Sequence, residues 1–92
     1  MKLKQYKRVE DPGHSWLEVP IKDLNLSGAA AQITPYSYRN NAAGYVWLEE
    51  DCDLPTFYNA MKNKGYEVKM ISHFVDYFYN YLSSFRKPAY TY

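Results

Sequence analysis

The chain has 92 residues, 11 Lys and Arg against 10 Asp and Glu, a formal net charge of +1 at pH 7 and a sequence pI near 7.8. So even a balance supplies no overall field to draw the protein to nucleic acid or anionic lipid. No apolar run approaches the ~18 residues of a membrane span. The length sets one domain with a modest core.

A single cysteine, Cys52, excludes an internal disulfide. The basic N-terminus is followed by no apolar core of a signal peptide, so the expected location is the cytoplasm. Aromatic residues make up 18% of the chain, with 11 Tyr and 2 Trp. A core this small cannot hold all of them, so some are expected at the surface, where aromatic clusters serve binding.

In chain order, Lys2 to Val9 alternates as a strand with a basic outer face at Lys2, Lys4, Tyr6 and Arg8. Asp11-Pro12-Gly13 is a turn signal, and Ser15 to Val19 forms a second strand with Trp16 and Glu18 against Leu17 and Val19. Pro20 opens a short helix from Ile21 to Leu26, stopped at Ser27-Gly28. Ile33 to Arg39 is a candidate strand that should lie at an edge or begin late, because Pro35 lacks a ladder donor. Asn40 to Gly44 turns the chain into a further strand, Tyr45 to Glu50. Leu54, Phe57, Tyr58 and Met61 then recur at the helical period. Asp53 is placed as the N-cap and Gly65 just past the C-cap, predicting a helix from Leu54 to Lys64.

Tyr66 to Ser72 alternates as a last strand. Phe74, Val75, Phe78, Tyr81, Leu82 and Phe85 fit a second helical stripe, with Asp76, Tyr77, Tyr79 and Asn80 outward. The tail after Pro88 reads as extended. This order predicts an α+β fold: a small antiparallel sheet of four to five strands, one main helix on one face, a short helix, and residues 74–92 as an aromatic extension of a single domain.

Three ordered stretches carry a resemblance: Asp11 to Pro20 (DPGHSWLEVP), Ile33 to Tyr38 (ITPYSY) and Leu48 to Asp53 (LEEDCD). With the ending Ser84 to Tyr90, they make the chain similar to a family of short proteins of bacterial phages, prophages and plasmids. That family shows a PGHxWLxV opening, a YSY strand and an LEEDCD segment. Ser15 stands where the family has glycine, and the chain is longer around Ala29 to Ala31 and Tyr77 to Leu82. The resemblance implies a mobile-element origin in a bacterial host, and no particular activity.

The acidic run Glu49-Glu50-Asp51-Cys52-Asp53 is the densest charge in the chain. Hard cations favour carboxylates, but the run fits no Ca²⁺-loop spacing. A strand end meeting a helix N-terminus explains it, so no metal and no cofactor are expected. Cys52 is expected to be a small buried residue packed against the helix, since neighbouring carboxylates disfavour a thiolate. His14 is assigned to bracing the turn, with general acid–base chemistry beside Tyr38 or Glu50 as the alternative.

The leading functional reading is a non-enzymatic protein that binds a host protein, such as a defence component, or pairs as a homodimer. Its contact residues are assigned as Tyr36, Tyr38, Arg39, Tyr77, Tyr79, Arg86, Tyr90 and Tyr92. The alternative is a small enzyme or nucleotide-binding module using His14, Tyr38, Glu50 and Asp51. The third reading is nucleic-acid binding, with sheet tyrosines stacking bases. Membrane binding is not expected.

Overall fold

The computed structural model describes residues 2–78. Its elements are β1 (Lys2–Glu10), β2 (Ser15–Pro20), α1 (Ile21–Ser27), a 3₁₀ turn (Ala30–Gln32), β3 (Tyr38–Asn40), β4 (Tyr45–Glu49), α2 (Asp53–Asn63) and β5 (Tyr66–Phe74). The five strands form one sheet in the order β3-β4-β2-β1-β5. The α+β class is as expected.

The sheet is mixed rather than wholly antiparallel. β1 pairs with β2, β2 with β4 and β4 with β3 in antiparallel fashion, but β5 runs parallel to β1 from Lys2↔Tyr66 to Glu10↔Phe74. The cause is the crossover. β4 leads into α2, the helix carries the chain back across the sheet, and the next strand can only start again in the same direction. Gly65, at φ +90°, makes the tight exit from α2 into β5 that a side chain would strain.

One face of the sheet carries the main core. Tyr6, Leu17, Val19, Val46 and Leu48 meet Leu24 of α1 and Leu54, Phe57 and Met61 of α2. The helical stripe of α2 is thus buried as its period requires, with Tyr58 partly buried beside it. Tyr6 belongs to this covered face and not to a basic outer one. Its ring meets Phe57 edge-on at 5.4 Å, and its hydroxyl donates to the buried Asp23 carboxylate at 2.8 Å. Burial, followed by that hydrogen bond, holds the Tyr6 phenol far above its ordinary pKa. Lys4 reaches the same carboxylate at 3.7 Å.

The opposite face has a smaller aromatic cluster of Val9, Trp16, Trp47 and Phe78, with Tyr38 and Val75 packed against it. Phe78 stacks on Trp16 with centroids 3.5 Å apart and planes at 8°. The C-terminal stripe therefore begins differently from its helical period. Phe74 is the last residue of β5 and is 77% exposed, while Phe78 is buried. Phe74 pairs with Glu10 in the β1 ladder, and this backbone pairing overrides the side-chain period. The remainder of that stripe, from Tyr79 onward, lies outside the described residues. Among the described residues no helix is long and apolar enough to cross a membrane.

The Phe57 ring is fully buried between α2 and the sheet. Phe57→Ala should cost about 3–5 kcal/mol in urea unfolding. A loss under about 1 kcal/mol would show that the α2 face does not close the core.

Candidate functional site

The stretch from Ile33 to Arg39 enters the sheet late and at its edge, as Pro35 requires. Only Tyr38–Asn40 joins the sheet. Asp53 holds the preceding residues instead. Its fully buried carboxylate accepts from the Thr34 backbone N–H at 3.0 Å and from the Thr34 hydroxyl at 2.8 Å. It also accepts from the Ser37 hydroxyl, and that same oxygen accepts from Glu49 N–H at 2.9 Å. One carboxylate thus joins the start of α2, the end of β4 and the loop before β3. Asp53 lies inside the first turn of α2, and Cys52 takes the N-cap position.

Glu49 finishes the helix entry. Its Oε1 accepts from the N–H groups of Asp51 and Cys52 at 3.1 and 2.9 Å. Cys52 itself is exposed, which corrects the expectation of a buried, packed thiol. Leu54 and Phe57 take the core positions at this end of the helix, leaving Cys52 on the outer side of the turn. Local desolvation, then the charge of Glu49 with its hydrogen bond and the charges of Asp53 and Asp51, pushes the thiol up from its ordinary pKa.

The Asp11 turn is braced by Asp11 and not by the His14 imidazole. Asp11 Oδ1 accepts from Gly13 N–H at 2.9 Å and His14 N–H at 2.8 Å, and Asp11 N–H donates to the His14 carbonyl at 2.9 Å. Its other oxygen accepts from the Phe78 N–H at 3.1 Å. Desolvation pushes this carboxyl up, but the three backbone donors outweigh it and hold it below the usual carboxylate range. The His14 side chain is 66% exposed and points elsewhere: Nδ1 lies 3.7 Å from Glu50 Oε1. Its ring meets Trp16 edge-on at 5.9 Å. Glu50 is heavily engaged. Ser15 donates to its Oε2 at 2.8 Å, and Arg8 approaches the same oxygen at 3.6 Å.

These turns converge on an open cleft of about 480 Å³ lined by His14, Trp16, Pro35, Tyr36, Tyr38, Glu49, Asp51 and Cys52. The three motif stretches that are remote in sequence meet here. Of the residues assigned to acid–base chemistry, His14, Tyr38 and Asp51 line the cleft and Glu50 stands behind His14. Of those assigned to contact, Tyr36 and Tyr38 line it, Tyr36 being 67% exposed in a turn and Tyr38 half-buried in β3. Arg39 lies in β3 beside Asn41, to which its Nε donates. Tyr77 is exposed beyond β5. Tyr79, Arg86, Tyr90 and Tyr92 lie outside the described residues.

Glu49, Glu50 and Asp51 can bring ligand oxygens within 4.8 Å of one another. Glu49 already caps the helix entry and Glu50 already holds Ser15, so this grouping is explained by the fold. Sequence reasoning missed Trp16 as a cleft wall, Ser37 and Asp53 as its buried support, and Asp11 as the anchor of Phe78. A small hydroxyl between two tyrosines, at Ser37, is the one local hint of a buried polar contact.

Compared with protein-family models, with curated proteins and with solved structures, the chain matches none.

Two outcomes follow from these environments. The Asp11 pKa is depressed on folding, so its stabilisation is present above about pH 4 and lost as pH falls through the folded value. Urea midpoints at pH 7 and about pH 2.5 should differ less for Asp11→Asn than for the wild type, with tryptophan emission reporting release of Phe78 from Trp16. Cys52, although exposed, should react with iodoacetamide more slowly at pH 7.5 than an unstructured cysteine peptide, and Glu49→Gln should speed it. Equal rates in all three would contradict the raised thiol pKa.

Proposed function

We propose that the protein is a non-enzymatic binding module that captures a partner protein by seating a basic side chain in this cleft. The observation that carries the reading is the lining itself: Trp16, Tyr36 and Tyr38 stand around a cavity whose polar side is Glu49 and Asp51. A guanidinium or ammonium head gains from aromatic faces and from charge-assisted hydrogen bonds to carboxylates. The cleft is open and suits a side chain presented by a folded or extended partner. In keeping with the resemblance to proteins of mobile elements, the partner is a host protein met in the bacterial cytoplasm, such as a defence component.

The same lining weighs against nucleic acid. Tyrosines placed for base stacking stand beside Glu49 and Asp51, which repel a phosphate backbone. The enzymatic reading gains from the meeting of His14, Tyr38 and Asp51 in one cleft. It loses because Glu50, the partner of His14, is already held by Ser15 and Arg8, and because the adjacent thiol is pushed away from the thiolate.

The test is a titration of tryptophan emission with a capped Gly-Arg-Gly peptide, its lysine counterpart and its citrulline counterpart. The cationic peptides should bind and the neutral one should not. Tyr36→Ala and Asp51→Asn should each weaken binding by about tenfold. A lysate partner retained by wild-type protein should be lost from the double variant. Equal retention by both baits would move the contact surface away from the cleft. A biological effect abolished by His14→Gln with partner binding intact would favour the enzyme.

A further inference from the structure

β5 is a nine-residue strand at the edge of the sheet, and its hydrogen-bonding directions can be assigned. Lys2 N–H donates to the Gly65 carbonyl, and at the other end Val75 N–H donates to the Glu10 carbonyl. In a parallel ladder alternate residues face the neighbouring strand. The odd-numbered residues 65–75 therefore face β1, and Tyr66, Val68, Met70, Ser72 and Phe74 turn their backbone N–H and C=O outward. Among the described residues no strand pairs with that side. Natural edges are usually kept short or broken by proline or a bulge. This one is long, has no proline, and ends in Phe74, 77% exposed.

We infer that this edge pairs with the same edge of a second copy, antiparallel about a two-fold axis through Met70, to make one continuous ten-strand sheet. The occupant is argued from the register. Outward groups can only meet outward groups, so the axis passes through a residue of the strand. Centred on Met70, the whole of β5 is used: Tyr66 lies opposite Phe74, Val68 opposite Ser72, and Met70 opposite itself, each a hydrogen-bonded pair. The closer, non-hydrogen-bonded pairs are then Glu67 opposite His73 and Lys69 opposite Ile71. Glu67 thus faces a histidine on the partner at both ends, the lysine stem covers the exposed Ile71, and Phe74 gains an aromatic neighbour.

The neighbouring registers are worse. Centring on Lys69 sets Lys69 against Lys69, and centring on Ile71 sets Tyr66 and Glu67 opposite residues beyond the end of β5. Centring on Val68 or Ser72 leaves only Tyr66–Met70 around Val68–Val68, or Met70–Phe74 around Ser72–Ser72, and so uses less of the strand. The side chains of Glu67, Lys69, Ile71 and His73 lie on the face opposite α2, since Val9 of the aromatic cluster pairs with His73. The helices are therefore on the same side of the joined sheet in both copies. This surface is separate from the cleft and does not depend on what the cleft binds.

Sedimentation velocity of the full chain at tens of micromolar should show a dimer. Ser72→Pro removes one outward N–H and no bond to β1, so it should yield a monomer with unchanged far-UV circular dichroism. Should that variant misfold, the Glu67–His73 pair decides. Glu67→Lys should weaken dimerisation roughly tenfold through two symmetric contacts, and Glu67→Lys with His73→Glu should restore it. A wild-type chain that stays monomeric to about 1 mM overturns the inference. So does a dimer indifferent to Ser72→Pro and to Glu67→Lys. A monomer whose Val68 and Met70 amides exchange slowly overturns it too, because another part of the chain then covers the edge.

Discussion

The arrangement depends most on one buried carboxylate. Asp53 sits at the start of α2 with no exposure to solvent, and it is surrounded by donors from Thr34 and Ser37. A charge so placed is tolerable only when its lone pairs are filled. Each hydrogen bond to a charged group contributes about 1.5–3 kcal/mol, so the loop before β3 is held by the helix rather than by the sheet. Because Ser37 also accepts from Glu49 N–H, the strand end, the helix start and the loop form one unit. The position of Tyr36 and Tyr38 over the acidic turn follows from that unit.

Asp11 makes a similar connection on the other side of the cleft. It closes its own turn and receives Phe78 N–H, which sets the Phe78 ring on Trp16. Trp16 is thereby held between Phe78 and the cleft. Glu50 links the two sides, since Ser15, Arg8 and His14 all approach it. The cleft walls are consequently tied into the fold on both sides, and the Glu49 carboxylate in its lining is held by the N–H groups of Asp51 and Cys52. Under the proposed reading, walls held in this way would lose less side-chain freedom on binding a partner.

The two proposed contact surfaces lie at opposite edges of the sheet. The cleft gathers around β3, β4 and the turn before β2, whereas the open ladder belongs to β5. The central strands β2 and β1 separate them. A dimer through β5 would present two clefts at the far ends of one sheet, and linked sites of this kind gain avidity when a partner carries repeated basic groups.

Much of the fold was legible in the residues. The α2 stripe of Leu54, Phe57 and Met61 has a single face, and burying that face decides the helix wherever it packs. The first two strands and the α+β class followed from alternation and turn residues in the same way. The pairing direction of β5 followed from where α2 returns the chain. The loss of strand from Ile33 to Ser37 came from competition by Asp53 for the backbone N–H of Thr34. The exposure of Phe74 came from its register opposite Glu10. The cleft was legible only as separate parts, since His14, Tyr36 and Asp51 are far apart in sequence. Local pattern determined most of the elements and the apolar face of α2, because propensity and periodicity act over a few neighbours; which face of β1 is covered was set by packing of Tyr6 on Phe57. The tertiary structure alone decided which polar groups meet, because a buried carboxylate takes its partners from whatever chain the packing brings within hydrogen-bonding distance.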